Sequence, residues 1–210
     1  EDSSAEFKQF VRKNVFGNPA IWVLAIANFF GYIVRYAVLD WGPTLLGEWK
    51  GVSIHHAGWM VAAFEISGIV GMLVAGWATD RFFGGRGPRV CVICMALATV
   101  FVALFWGISQ PPMWLATLLL GAAGFCIYGP QALVGIAAAN IATKKAAATA
   151  VGFTGLFGYA STLVSGWGLG LLAQHYGWNI AVGALILIAI MGTLIFMAAW
   201  SAKANGYDND

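Results

Sequence analysis

Long apolar runs broken by short polar stretches fill most of the chain. A hydrocarbon core about 30 Å thick is crossed by about 20 apolar residues of helix, each rising about 1.5 Å. Six runs reach that length: Trp22–Leu46, Ala57–Thr79, Val90–Ile108, Trp114–Ala139, Ala147–Ala173 and Ile180–Ala202. Polar, glycine-rich or proline-bearing breaks separate them at Gly47–His56, Arg81–Arg89, Ser109–Pro112, Asn140–Ala146 and Gln174–Asn179. The pattern predicts an all-α membrane protein with six transmembrane helices. Glu1–Asn18 is polar and charged, lacks the charged-then-apolar order of a signal peptide, and does not begin with Met.

Composition agrees with that pattern. Of 210 residues 60% are hydrophobic and 10% charged, where a soluble domain carries about a quarter charged. So few charges cannot cover a water-facing surface, and a net charge of +2 argues against a nucleic-acid partner. The distribution of the cations is more informative. One set of loops and ends holds nine: Lys8, Arg12, Lys13, Arg81, Arg86, Arg89, Lys144, Lys145 and Lys203. The opposite set holds Lys50 alone, so the positive-inside rule places both termini in the cytoplasm.

Six helices with both ends inside describe either a small complete bundle or one repeat half of a twelve-span transporter. The polar start without Met reads as the end of a linker joining two halves. On that reading residues 1–18 are a cytoplasmic linker segment, 19–202 a C-terminal six-helix half, and 203–210 a cytoplasmic tail. Cys91, Cys94 and Cys126 lie in apolar runs without metal-ligand spacing and read as packing residues. No nucleophile–base pair or metal cluster is visible, so neither an enzyme nor a cofactor is expected.

Ionisable groups within the spans are the candidates for function, because a charge at membrane centre costs roughly 2.5–3.5 kcal/mol on insertion scales. Arg35 lies near the middle of the first span. Asn28, Tyr32 and Arg35 fall at i, i+4 and i+7 on one helical face, as in a helix lining a wet cavity. Glu65 lies at a depth within about 3 Å of Arg35. The two can pair until an anionic ligand displaces the carboxylate. The plainer readings are a structural ion pair, or a protonated Glu65 kept for packing. Tyr128 and Gln131, at i and i+3 around Pro130, share a face of the fourth span; Pro130 predicts a kink there. Tyr128 is equally a packing aromatic.

Glycines at helical spacing, namely 121/124, 152/155/158 and 166/170, predict close helix packing within the chain. Asp40 and Trp41 read as an interfacial anchor beside a helix-ending Pro43. His55, His56 and His175 read as solvated. Between the second and third spans stands Gly76-Trp77-Ala78-Thr79-Asp80-Arg81-Phe82-Phe83-Gly84-Gly85-Arg86-Gly87. Asp80, Arg81 and Arg86 there suit a charge latch between helices that part and re-form; a plain positive-inside loop explains them equally.

That loop resembles the G-x-x-x-D-R-x-G-R signature of the major facilitator superfamily, with one extra residue before Gly84. Tyr32-Ile33-Val34-Arg35-Tyr36, Leu39 to Thr44, Tyr128-Gly129-Pro130, Lys144 to Ala147 and Gly152 to Tyr159 sharpen the match. Together they resemble the organophosphate:phosphate antiporter family, over Asn18 to Trp200. The resemblance implies one half of a major facilitator fold in a bacterial inner membrane. It implies exchange of a sugar phosphate or glycerol 3-phosphate for inorganic phosphate by alternating access, with an N-terminal six-helix half as partner. Arg35 matches one member of an arginine pair that grips phosphate, and Tyr32, Glu65 and Tyr128 match cavity-lining positions. Phe64-Glu65, Leu73 to Trp77 and Gly129-Pro130-Gln131 are closer to a hexose-phosphate sensor branch, whose partner is a membrane histidine kinase.

Overall fold

The computed structural model describes residues 2–204, with side chains from Ser4 onward; the last six residues of the expected tail lie outside the described residues. A short helix α1 (Asp2–Val11) runs into a π-helical turn (Arg12–Phe16). Then come α2 (Pro19–Lys50), α3 (Ile54–Phe83), α4 (Gly87–Gly107) and α5 (Met113–Ile141). The fifth span, Lys144–Tyr176, is composite: a 3₁₀ turn, α6 (Ala147–Ala160), a π-helical turn (Leu163–Gly168) and α7 (Leu169–Tyr176). Helix α8 (Trp178–Ala198) ends the bundle. Among the described residues six helical segments are long and apolar enough to cross a membrane, in the order the sequence predicts.

Local chemistry sets the boundaries. The Asn18 side chain accepts from Ala20 N at 3.0 Å and Pro19 follows it, which together start α2. Gly51 ends α2 at φ 68°, and Ser53 caps α3. Gly84 and Gly85, at φ 57° and 78°, make the sharp turn into α4 that side chains with a Cβ adopt with strain. Of the residues read as a linker, Asp2–Phe16 are helical, and Val15 is wholly buried against the bundle.

Three expectations are corrected. Pro43 does not end the first span: α2 continues to Lys50. One backbone donor is lost, but Gly42, Leu45 and Leu46 are buried around it and packing holds the turn beyond. The Trp41 indole N–H is committed within the bundle and not left for an interface: it donates to Ser165 O and Gly166 O, both at 3.1 Å. Those two carbonyls lie in the π-helical turn that interrupts the fifth span. Finally, the glycine rows are not all packed. A Cβ at Gly152, Gly155 or Gly166 meets nothing within 4 Å. Gly124, Gly158 and Gly170 do meet close neighbours.

The tightest seam, between α3 and α5, uses two glycines that spacing did not single out. A Cβ on Gly71 would clash with the backbone carbonyl of Phe125, and one on Gly68 with the Tyr128 ring. Across the same seam Gly124 lies on the Phe64 carbonyl, and Ser67 Oγ donates to Gly121 O at 2.6 Å. In lipid the gain comes from van der Waals contact and hydrogen bonding, which close approach maximises. Large apolar surfaces stay exposed on α3 (Ile66, Ile69, Leu73, Trp77) and on the fifth span (Leu156, Leu163, Trp167).

Gly71→Val should therefore destabilise the bundle by about 2 kcal/mol, in the range for overpacked interiors. Gly58→Ala, where an added Cβ meets nothing within 4 Å, should leave stability unchanged. Thermal unfolding of the purified protein in detergent checks both; equal midpoints would show that the α3–α5 seam yields freely.

Candidate functional site

Charged side chains meet inside the bundle where α2, α3 and α5 come together. Arg35 projects from α2, Glu65 from α3, and Tyr128 and Gln131 from successive turns of α5. Arg35 Nη1 donates to Gln131 Oε1 at 3.0 Å, and Nη2 lies 3.6 Å from Glu65 Oε2. The Tyr128 hydroxyl donates to that same Glu65 oxygen. Its ring stacks under the guanidinium, with Arg35 Cζ 4.4 Å from the centroid. Tyr36, which the sequence reading had not assigned, offers a second ring face at 5.7 Å.

Helix geometry explains the convergence. Tyr128 and Gln131 are three residues apart, so both face α2. The glycine at 68 leaves room for the Tyr128 ring between α3 and α5, where it reaches arginine and carboxylate together. Arginine and glutamate side chains are 22% and 29% exposed, so the charges sit in a partly closed recess. Pairing lowers the cost of holding either one away from water.

The cluster is incompletely satisfied. Arg35 Nε, Gln131 Nε2 and Glu65 Oε1 are buried atoms without a hydrogen-bond partner among the described residues. Two donors and one acceptor thus remain available at a single point, where buried polar atoms are ordinarily paired.

Asn28 and Tyr32 continue the face of α2 but contact a different neighbour. Asn28 is buried and donates to Thr154 O on α6 at 3.0 Å, so its amide joins two helices and does not touch Arg35. Tyr32 packs on Tyr36 and on Tyr159, ring centroids 5.7 and 6.2 Å apart. Asn28, Tyr32 and Gln131 line a cleft of about 480 Å³ with Thr154 and Tyr159. Gln131 therefore links the charged cluster to this cleft. Tyr159 was legible only as part of a motif; its ring contact with Tyr32 depends on how the fifth span lies.

The expected latch residues are far along the chain from this cluster. Asp80 and Arg81 are exposed in the last turn of α3, and Arg86 is half-buried just before α4. Among the described residues none of the three makes a side-chain hydrogen bond or ion pair. All three cysteines are free, with Cys91 and Cys126 buried, and no group of metal-ligating side chains stands together among the described residues.

Comparison with known proteins adds a family. The sequence profile of the Major Facilitator Superfamily matches residues 24–205. The chain is 40% identical over 189 residues to a probable hexose phosphate transport protein of Chlamydia pneumoniae, covering 90% of this chain and 42% of that protein. It is 36% identical over 210 residues to a glycerol-3-phosphate transporter of Haemophilus influenzae, covering 90% and 44%. It is also 33% identical over 205 residues to a membrane sensor protein of Salmonella typhimurium, covering 97% and 46%. The chain thus spans less than half the length of these relatives.

The charge pairing can be tested by stability. Arg35→Leu leaves Glu65 without its counter-charge and should cost about 1–3 kcal/mol, reduced from the fully buried case because the recess is partly open. Arg35→Leu combined with Glu65→Leu should recover much of that loss. Denaturant unfolding in detergent measures all three variants, and a double variant weaker than either single one would show that the two charges do not neutralise each other.

Proposed function

The chain belongs to the Major Facilitator Superfamily, and on that footing we propose that it forms one six-helix half of an antiporter exchanging a small organophosphate for inorganic phosphate. The observation that carries this reading is Arg35, held in an apolar bundle with its Nε and the neighbouring Gln131 Nε2 unpaired. A guanidinium presents a planar fork that matches phosphate oxygens. An unpaired Glu65 oxygen beside it suits a hydroxyl of the same ligand, whether on phosphorus or on a sugar or glycerol carbon. The cleft lined by Tyr32 and Gln131 leaves space for the organic part.

Phosphate would compete with Glu65 for Arg35. In the resting cluster Glu65 neutralises the arginine, and Tyr128 supplies a proton donor to the carboxylate. An incoming phosphate takes the guanidinium, and Tyr128 continues to hold the displaced carboxylate. One arginine on one side of a cavity is half of a clamp. Midplane sites in such transporters form between two repeats, so an N-terminal half is required for transport. The exposed apolar faces of α3 and the fifth span are surfaces such a partner can cover. In the same reading Asp80, Arg81 and Arg86 form a latch that closes at the cytoplasmic ends only in the assembled protein.

A second reading is favoured by the 33% identity to a membrane sensor protein. Here the same cluster binds a hexose phosphate and the bundle reports occupancy to a histidine kinase. Binding is common to both readings and flux is not, so exchange in liposomes separates them.

Two outcomes are expected of the full-length protein. Arg35→Lys keeps the charge but loses the fork, and phosphate affinity should fall roughly 10- to 100-fold, the value of one or two charge-assisted contacts. Wild-type affinity in isothermal titration would leave Arg35 a purely structural ion. Asp80→Asn should slow phosphate exchange in liposomes while leaving binding intact; exchange at the wild-type rate would remove the latch.

A further inference from the structure

At the end of the bundle remote from Asn18, α2, α8 and the π-helical turn and α7 of the fifth span line an open cavity of about 410 Å³ that shares no lining residue with the Arg35 cluster. Trp41, Trp167 and Trp178 line it, with Glu48 and Gln174 between them. The indole edges of two of these rings are already committed. Trp41 Nε1 is shared by Ser165 O and Gly166 O, and Trp178 Nε1 donates to Glu48 Oε2 at 2.6 Å. The Trp41 and Trp178 ring centroids are 5.9 Å apart at 56°, and Gly170 lies close against the Trp41 ring and fixes it. With their donors occupied, what these rings can offer a ligand in the cavity is π-surface.

Glu48 is the charge in this aromatic box, and among the described residues no cation lies within ion-pair distance of it. Lys50, the nearest cation in sequence, is engaged elsewhere: its Nζ donates to Ile108 O at 2.7 Å and lies 3.8 Å from the Trp49 ring centroid. A carboxylate set among indole rings attracts a cation with an apolar skirt.

We propose that this cavity binds an alkylammonium group, with Glu48 as counter-ion and the tryptophan faces supplying cation–π contact. Two sources carry that group, the headgroup of an amine-bearing phospholipid and a soluble organic amine.

Native mass spectrometry of the full-length protein, with added phosphatidylethanolamine or phosphatidylglycerol, tests the proposal. Phosphatidylethanolamine should be retained in preference to phosphatidylglycerol. Glu48→Gln should weaken that retention roughly tenfold, and Trp167→Ala, an exposed position, roughly fivefold. Displacement by excess ethanolamine would show that the amine alone suffices, and resistance to displacement would assign the site to the lipid; either supports an ammonium site. Equal retention of the two lipids, or retention undiminished in both variants, would overturn it.

Discussion

A guanidinium in an apolar bundle is the constraint around which the interior is arranged. Left alone in hydrocarbon, Arg35 would be expensive, and neither lipid nor Leu and Phe neighbours could reduce that cost. The bundle answers it with three kinds of contact at once: a carboxylate at 3.6 Å, an amide oxygen at 3.0 Å and an aromatic face at 4.4 Å. Those partners come from two other helices, so the charge requires that α2, α3 and α5 lie side by side at one depth. The cluster is thus a condition on the packing as well as a candidate site.

Glycine connects that condition to the fold. The Tyr128 ring can stand under Arg35 because position 68 has no Cβ, and the two helices can approach so far because positions 71 and 124 have none either. Close approach and site geometry are the same fact seen from two sides. A larger residue at any of these positions would push α5 away from α3 and carry Tyr128 and Gln131 with it. The cleft beyond Gln131 is lined without any of those three glycines.

Much of this was legible in the residues themselves. Six apolar runs give six helices because length and hydropathy decide crossing almost independently of tertiary contacts. Arg35 and Glu65 could be set at one depth by counting residues, since rise per residue is fixed. What counting cannot supply is rotation about the helix axis and the neighbour on each face. The roles of Gly68 and Gly71, the Trp41 bond to the fifth span and the use of Asn28 on Thr154 all depend on that rotation. Pro43 misled for a related reason: a proline reports the cost of one lost donor, and packing around Gly42 and Leu46 outweighs it.

The fifth span carries a consequence of its own. Its buried positions Ala150, Thr154, Gly158, Ser161, Ser165 and Leu169 are four residues apart except for one step of three, and in an α-helix of about 3.6 residues per turn each four-residue step drifts about 40° around the axis. The wider π-helical turn at Leu163–Gly168 takes up part of that drift and keeps one edge of the span turned to α2. Contact follows at three levels, Asn28 on Thr154, Tyr32 on Gly158 and Trp41 on Ser165 and Gly166. The two helices are thereby riveted into a single plank, so any rearrangement that changes access to Arg35 must carry both and falls on the other seams of the bundle.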